Sequence, residues 1–183
     1  MHLLSFALAG SLLAINTVNA RPSNLNTGIT RRSPPSTSDQ SFINMALNKH
    51  NTYRSQHDAN RLIWDTALAS TAASQAQGCS GQHTSNNAYG ENLFGFGGTN
   101  SDSTDFIAKT GEGIDSWYSE VGSYDPNTES GAGHFTQLVW KSTTKLGCAW
   151  GGKCDAGGIE YFFYCEYDPA GNMGGEYAEN VSP

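Results

Sequence analysis

The chain has 183 residues, with 10 basic and 17 acidic side chains and a formal net charge of −7 at pH 7. This length suffices for one domain with a sizeable hydrophobic core. An acidic chain without a basic stripe is a poor match for nucleic acid or for an anionic membrane surface. We therefore expect no nucleic-acid partner, and the classes left to distinguish are enzymes and binding modules.

The first twenty residues have the pattern of a secretory signal. Residues 3–18 are largely apolar, and Val18-Asn19-Ala20 places small residues where a signal peptidase cleaves. The apolar run is too short and too interrupted for a stable membrane span. We expect cleavage after Ala20 and secretion to the extracellular space. The alternative is that these residues form an N-terminal core helix.

Residues 21–40 have the composition of a flexible linker or propeptide. They are rich in Pro, Ser and Thr and contain few apolar side chains, so folding could not repay the entropy of ordering them. Arg31-Arg32 is a candidate site for a dibasic-specific protease; the alternative is two ordinary linker arginines. Removal of residues 1–32 would change the net charge from −7 to −10, because they contain three arginines and no acid. The predicted folded domain spans residues 41–183.

Two helices open this domain. Apolar side chains at helical spacing predict a first helix over residues 41–57, with Ser41 as its N-cap. An alanine-rich second helix is predicted over residues 66–77, capped by Asp65 and stopped by Gly78.

A third helix is predicted after Thr104 or Asp105, either of which can cap it. Its apolar side chains are those of Phe106, Ile107, Ile114, Trp117 and Tyr118. Gly111 and Gly113 weaken its middle by about 1 kcal/mol each relative to alanine, so a kink or two separate helices are alternatives.

The remaining predicted elements are loops and two strands. Residues 80–103 and 122–133 are rich in Gly, Ser and Asn and are predicted to be loops. Residues 145–150 and 159–167 are apolar and aromatic and are predicted to be strands of a late antiparallel hairpin. Helices followed by such a hairpin indicate an α+β layered domain.

Residues 133–140 combine core and polar side chains. The apolar members, Phe135, Leu138, Val139 and Trp140, are expected to be buried. His134, Thr136 and Gln137 would then need hydrogen-bond partners inside the fold. This mixture makes His134 a candidate site residue.

The chain has four cysteines: Cys79, Cys148, Cys154 and Cys165. An even number in a chain with a secretory signal predicts two disulfides and argues against a free catalytic thiol. Four cysteines allow three pairings, among which spacing does not choose.

Four segments, in the correct order, resemble the CAP superfamily of cysteine-rich secretory, antigen 5 and pathogenesis-related 1 proteins. Residues 133–143, GHFTQLVWKST, are similar to its first signature, and residues 163–172, FYCEYDPAGN, to its second. Residues 90–93 and 117–120 match two further family segments. The four matches make a chance resemblance negligible.

Within this superfamily the chain is most similar to fungal secreted proteins of the kind that export sterols in yeast. This similarity rests on residues 141–144, KSTT, and residues 174–180, GGEYAEN. The family resemblance as a whole covers residues 41–180.

The resemblance implies a three-layer α-β-α sandwich with a central antiparallel sheet and a cleft lined by two histidines and two glutamates. Carried over by motif, these residues are His83, Glu91, Glu120 and His134. Glu166 departs from the family pattern, in which a small polar residue usually follows the cysteine.

The resemblance also implies a disulfide pairing. By similarity, Cys79 would pair with Cys148, and Cys154 with Cys165. The first bond would pull the end of the second helix, and with it His83, towards the sheet.

The two histidines and two glutamates suit a divalent cation such as Zn²⁺ or Mg²⁺. In one reading His83 and His134 bind the metal while Glu91 and Glu120 orient the imidazoles. In the other, each glutamate bonds a histidine in a metal-free network. A metal-assisted hydrolase or protease is a further alternative. No Gly-x-Ser-x-Gly or His-Glu-x-x-His motif is present, so we favour a binding protein over an enzyme.

Family members similar to this chain bind sterols or fatty acids, and such a small apolar lipid is the ligand we expect. The candidate contact residues are Phe94, Phe96, Trp117, Tyr118 and Tyr124, several of them in predicted glycine-rich loops that could open around a ligand. For Trp117, a purely structural place in the core is the alternative. A different function is also open, that of an extracellular effector that acts on a host or cell-surface protein and has a vestigial cleft.

Overall fold

The computed structural model describes residues 33–98, 101–128 and 132–182. The predicted signal sequence, most of the predicted linker and the Arg31-Arg32 pair lie outside these ranges and stay predictions. In the described ranges, no helix has both the length and the apolar character needed to cross a bilayer.

The described chain forms five α-helices and four strands. The helices are α1 (Gln40–Arg54), α2 (Thr66–Gln77), α3 (Phe106–Tyr118), α4 (Gly133–Val139) and α5 (Tyr177–Asn180). The strands are β1 (Ile63–Trp64), β2 (Gly90–Phe96), β3 (Lys145–Trp150) and β4 (Tyr161–Asp168). Short 3-10 helices cover Ser101–Ser103 and Ser119–Ser123.

The strands form one sheet in the order β1-β3-β4-β2. Strand β4 pairs antiparallel with both β2 and β3, whereas the two-residue β1 pairs parallel with β3. The register places Cys165 opposite Cys148 on one side and Glu166 opposite Glu91 on the other. Residues distant in sequence are thereby brought together around β4.

The sheet is covered on both faces, and alternate side chains of β4 point to opposite layers. Phe163 and Tyr167 belong to the larger core, which they share with α1, α3 and α4. Phe162 and Tyr164 belong to the smaller core against the alanine face of α2. The predicted α+β, three-layer fold is thus confirmed.

The helices show which local predictions were correct. The caps of α2 and α3 are Asp65 and Asp105, as predicted, and α3 runs unbroken through its glycines. The predicted cap of the first helix was wrong, because Asp39 accepts from the backbone nitrogens of Ser41 and Phe42. Each capping bond joins residues two or three positions apart, so the local sequence contains most of the information that decides where a helix begins.

Strand β2 was predicted to be a loop, and this was wrong. Its glycines, which suggested a loop, are required by close packing. A Cβ on Gly90 would overlap the side-chain oxygen of Gln137, and a Cβ on Gly95 would lie 2.9 Å from Ile159. β2 is an edge strand in which every residue is partly buried except the buried Asn92, so it also lacks the alternation of a strand with one exposed face.

The disulfides differ from the pairing that the resemblance implied. The bonds are Cys79–Cys154 and Cys148–Cys165. Cys148 and Cys165 lie directly opposite each other on β3 and β4, so the register pairs them. Two disulfides and the absence of a free thiol among the described residues agree with the sequence prediction.

Candidate functional site

A polar cleft of about 350 Å³ lies between the first residues of β2 and the first residues of α4. The residues that line it are His83, Glu91, Asn92, Glu120, Gly133, His134 and Asn172. All four residues carried over from the family motif therefore meet in one place, although 51 positions separate the first from the last. Within the described part of the chain, none of the lining residues is a serine, threonine, cysteine or lysine.

Glu120 holds His134 through both its side chain and its backbone. One carboxylate oxygen, Oε1, accepts from the imidazole Nδ1 at 2.6 Å. The other, Oε2, accepts from the backbone nitrogens of His134 and Phe135 at 3.0 and 3.3 Å. Helix α4 has no side-chain cap from its own N-cap residue, Ala132. Glu120 supplies that cap from outside the helix.

Glu91 holds His83 in a similar way. Its Oε1 accepts from His83 Nδ1 at 2.8 Å and from the backbone nitrogen of Thr84 at 3.0 Å. Its Oε2 accepts from the hydroxyl of Thr84 at 2.7 Å. The Glu91 side chain is only 5% exposed, whereas that of His83 is 60% exposed. The carboxylate is thus the buried anchor, and the imidazole is presented to solvent.

These bonds set the chemistry that the cleft can offer. Because each imidazole donates Nδ1–H to a carboxylate, Nε2 carries the free lone pair on both rings. The rings of His83 and His134 lie 6.3 Å apart, centroid to centroid. Trp117 stacks on His134 at 6.2 Å and supports that ring from the core side.

The donor set fits a cation only in part. Two imidazole nitrogens are suitable ligands, and the carboxylates that orient them have the arrangement usual behind metal-bound histidines. The same carboxylates already accept hydrogen bonds from ring and backbone nitrogens. Over the described ranges, no group of three His, Cys, Asp or Glu side chains is arranged to bind a metal. The described residues therefore offer a cation the two imidazoles without a third protein ligand arranged beside them.

A buried chain of hydrogen bonds supports the cleft from below. Asn92 Nδ2 donates to the carbonyl of His134 at 3.0 Å and to the hydroxyl of Tyr167 at 3.2 Å. His50 Nδ1 donates to the carbonyl of Ala46, so its Nε2 accepts from the Tyr167 hydroxyl, both at 2.8 Å. Burial lowers the pKa of His50 to about 4. This chain of hydrogen bonds thus ends at the neutral imidazole of His50 in the core.

Asn172 fixes the start of α4 from the opposite side of the cleft. Its backbone is left-handed, with φ at 58°. Its Nδ2 donates to the carbonyl of Gly133 at 2.9 Å, and its Oδ1 accepts from the hydroxyl of Thr136 at 2.6 Å. Sequence reasoning did not identify Asn92 or Asn172 as cleft residues. Both lie inside matched family segments, and that position was the signal available.

Glu166 is a buried acid just behind the cleft. The residue is fully buried, and its Oε2 accepts from Asn87 Nδ2 at 2.7 Å. Burial raises its pKa to about 8; the Asn87 hydrogen bond opposes this rise and the nearby Glu91 carboxylate adds to it. Burial thus favours the protonated form of the Glu166 carboxyl group.

The five predicted lipid contacts lie in two different parts of the fold. Trp117 is buried and donates from Nε1 to the carbonyl of Leu93 at 3.0 Å, so it belongs to the core. Phe94 and Phe96 lie on β2 and are partly buried against the larger core. Tyr118 and Tyr124 lie at the other end, where both pack against Phe135 at centroid distances of 5.9 and 5.8 Å.

Comparison with known proteins identifies the family of this chain. The family model for CAP, the cysteine-rich secretory protein family, matches residues 47–167. The chain belongs to the CAP family. The fold, the His–Glu cleft and the matched residues agree on this assignment.

Two fungal relatives illustrate the similarity. Protein PRY2 of Saccharomyces cerevisiae is 41% identical over 150 residues, which cover 78% of this chain and 41% of that protein. Secreted protein RBT4 of Candida albicans is 39% identical over 146 residues, which cover 75% of this chain and 37% of that protein. The chain thus spans about two fifths of the length of these relatives.

A solved structure shows the same fold. The crystal structure of NaASP2 with Zn²⁺ matches with a TM-score of 0.60 and 23% identity, over 74% of this chain and 83% of that one. At this identity the similarity shows the fold alone.

Proposed function

We propose that this chain is a secreted CAP protein that binds a small apolar lipid, a sterol or a fatty acid. The observation that carries the proposal is the aromatic cluster of Tyr53, Tyr118, Tyr124 and Phe135, three of which are near neighbours in the chain of the cleft residues Glu120 and His134. Tyr118 stacks on Tyr53 at 3.7 Å, and both are only partly buried. Partly exposed rings around an apolar base offer a ligand a hydrophobic surface with polar hydroxyls at its edge.

The position of this cluster connects it to the cleft. Tyr118 and Tyr124 stand on either side of Glu120 in the chain, and Phe135 follows His134 directly. A lipid that packs on the tyrosines would therefore lie beside the His–Glu pairs. Its hydroxyl or carboxylate head group could reach the polar cleft, while its apolar body stays on the rings. The match to fungal relatives, one of them named a secreted protein, supports the same assignment.

The same proposal gives the cleft a divalent cation, Zn²⁺ or Mg²⁺, bound by Nε2 of His83 and His134. Glu91 and Glu120 would orient the two rings and raise their basicity rather than bind the ion themselves. When bound, the ion would supply a positive charge able to attract an anionic head group. Two neutral imidazoles suit Zn²⁺ better than Mg²⁺, which prefers oxygen ligands.

Lipid binding is tested by extraction and mass spectrometry of the secreted protein, followed by titration with a fluorescent sterol and a fluorescent fatty acid. Tyr118→Ala and Tyr124→Ala should each weaken binding about tenfold, the loss expected for a large aromatic contact. Phe94→Ala and Phe96→Ala serve as comparison variants, because they remove aromatic area at the other end of the sheet. If no sterol or fatty acid is extracted or bound, the lipid proposal is wrong.

Cation binding is tested by thermal unfolding with and without Zn²⁺. The shift in Tm should disappear in His134→Ala and in His83→Ala and persist in His57→Gln, whose imidazole bonds Ser182 and Tyr118 instead. The same samples, incubated with peptide and ester substrates, address the hydrolase alternative. Turnover by the parent protein that His83→Ala abolishes would establish catalysis.

A further inference from the structure

Glu166 is a carboxyl group in the middle of a protein core. It lies on the central strand β4, and none of its surface is exposed. By strand alternation its side chain points to the same face as Tyr164, towards α2. Burying such a group costs free energy unless it is well hydrogen-bonded. The free-energy cost of burying Glu166 suggests that this side chain has a role that a smaller or apolar residue could not fill.

The partners of Glu166 connect it to the cleft. Its Oε2 accepts from Asn87, which belongs to the same loop as His83. Its Oε1 has no hydrogen-bond partner among the described residues, and Glu91 lies directly opposite Glu166 in the β2–β4 ladder, on the same face of the sheet. Glu91 in turn accepts from His83 Nδ1. One buried residue thus reaches both the loop and the carboxylate that hold His83.

The loop itself, residues 80–89, has no helix and no strand apart from its junction with β2. Its conformation therefore depends on side chains that anchor it. The hydroxyl of Tyr164 donates to the carbonyl of Gln82 at 3.0 Å, and Cys79–Cys154 fixes the preceding residue. Tyr164 and Glu166 are successive inward-facing residues on one face of β4, so one strand secures the loop on both sides of His83.

We propose that Glu166 is a positioning residue of the cleft, which holds Asn87 and Glu91 from within the core and thereby fixes the imidazole of His83. This inference deepens the proposed cation site, and only its metal-binding consequence rests on that function. The loop order and the tautomer of His83 can be measured on the metal-free protein.

The test compares Glu166→Gln with Glu166→Leu. Glutamine keeps an oxygen to accept from Asn87 and has an NH₂ group to donate to Glu91, whereas leucine has similar volume and neither group. Hydrogen exchange of residues 80–89 should rise about tenfold in Glu166→Leu, the effect of losing one or two hydrogen bonds, and change less than about twofold in Glu166→Gln. Nitrogen NMR should show the Nδ1–H form of His83 preserved in the glutamine variant and mixed with Nε2–H in the leucine variant.

Two further variants keep the test decisive if Glu166→Leu fails to fold. Asn87→Ala removes the loop side of the contact without changing the core, together with the bond that Asn87 Oδ1 accepts from the backbone nitrogen of Tyr89, and should raise exchange in the same residues. Gln82→Ala is the matched control and should leave exchange unchanged, because the bonds from Tyr164 and to Ser80 use the backbone carbonyl and nitrogen of Gln82, which alanine keeps.

Unchanged exchange and an unchanged His83 tautomer in Asn87→Ala, or in a folded Glu166→Leu, would overturn the proposal. Zn²⁺ titration of the same set is a separate readout. If the parent protein does not bind Zn²⁺, the cation part of the proposed function fails, while the positioning result is decided by exchange and NMR. If it does bind, Glu166→Leu should weaken binding about tenfold and Glu166→Gln should restore it.

Discussion

Glu120 receives two hydrogen bonds from His134, one from the backbone nitrogen at 3.0 Å and one from the imidazole Nδ1 at 2.6 Å. The Glu120 carboxylate therefore has two structural roles. It caps the N-terminus of α4, where the helix dipole favours negative charge, and it selects the tautomer of the ring in the cleft. The start of the helix and the orientation of the site residue are consequently coupled.

The first prediction concerns this cap. Glu120→Ala should lower the free energy of unfolding by about 1–2 kcal/mol, because α4 loses the carboxylate that accepts from its first backbone nitrogens. Urea denaturation provides the measurement. Glu112→Ala is a matched control, since that exposed glutamate pairs only with Lys109 on the surface of α3 and should change stability by less than about 0.5 kcal/mol. Equal effects of the two variants would contradict the capping role.

The second prediction concerns Arg54, whose side chain is fully buried although burial lowers the pKa of the guanidinium only to about 10. It donates to four backbone carbonyls, those of Asn60, Leu138, Trp140 and Thr143, at 2.7–3.0 Å. Arg54→Met should destabilise the protein by about 3 kcal/mol or more, because these buried acceptors lose their donors.

Arg54→Lys should recover little of this loss, since one ammonium group cannot replace a planar fork that reaches four carbonyls. Arg61→Met is the matched control, because Arg61 is exposed and should tolerate the change. Calorimetric or urea unfolding of the three variants compares them directly. A lysine variant as stable as the parent would show that charge, rather than the fork, is what the site requires.

The third prediction is a dependence of stability on pH caused by His50. Burial lowers its pKa in the folded state from 6.5 to about 4. The unfolded chain therefore binds a proton at a higher pH than the folded chain does, and the stability present above pH 6.5 is lost as the pH falls towards 4. This group alone should remove about 3 kcal/mol across that window.

Urea denaturation of the parent and of His50→Gln at several pH values in this window separates His50 from the carboxylates, which both proteins share. The difference in unfolding free energy between them should shrink as the pH falls. Parallel curves would show that His50 does not titrate in this way. The groups closest to His50, Arg54 and Tyr167, keep their charge state throughout the window because both pKa values lie above it.

The fourth prediction is the disulfide pairing. Digestion without reduction should yield peptides that join Cys79 to Cys154 and Cys148 to Cys165. Mass spectrometry before and after reduction identifies them, with the reduced digest as the control. A peptide joining Cys79 to Cys148 would restore the pairing that family resemblance implied and would contradict the β3–β4 register.

Features that depend on neighbouring residues were predicted from the sequence, and features that depend on distant residues were not, except where a family motif marked them. The helices α2 and α3 and their caps at Asp65 and Asp105 followed from sequence, because a capping carboxylate bonds nitrogens two or three residues ahead. The cleft residues followed from family motifs, which carry long-range information that periodicity lacks. Strand β2 was not predicted, because its glycines are required by close packing against Gln137 and Ile159, which lie more than forty residues away in the chain.

The sequence by itself determined α1, α2 and α3, the strands β3 and β4, the layered α+β class and the four cleft residues, whereas α4, α5, β1 and β2 were not predicted. The tertiary structure decided which cysteines pair, which imidazole nitrogens the carboxylates hold and that Glu166 is buried opposite Glu91. These features depend on the register of β4 between β2 and β3, which sets Cys165 opposite Cys148 and Glu166 opposite Glu91. Register is fixed by packing on both faces of the sheet at once, and no local pattern in the chain records it.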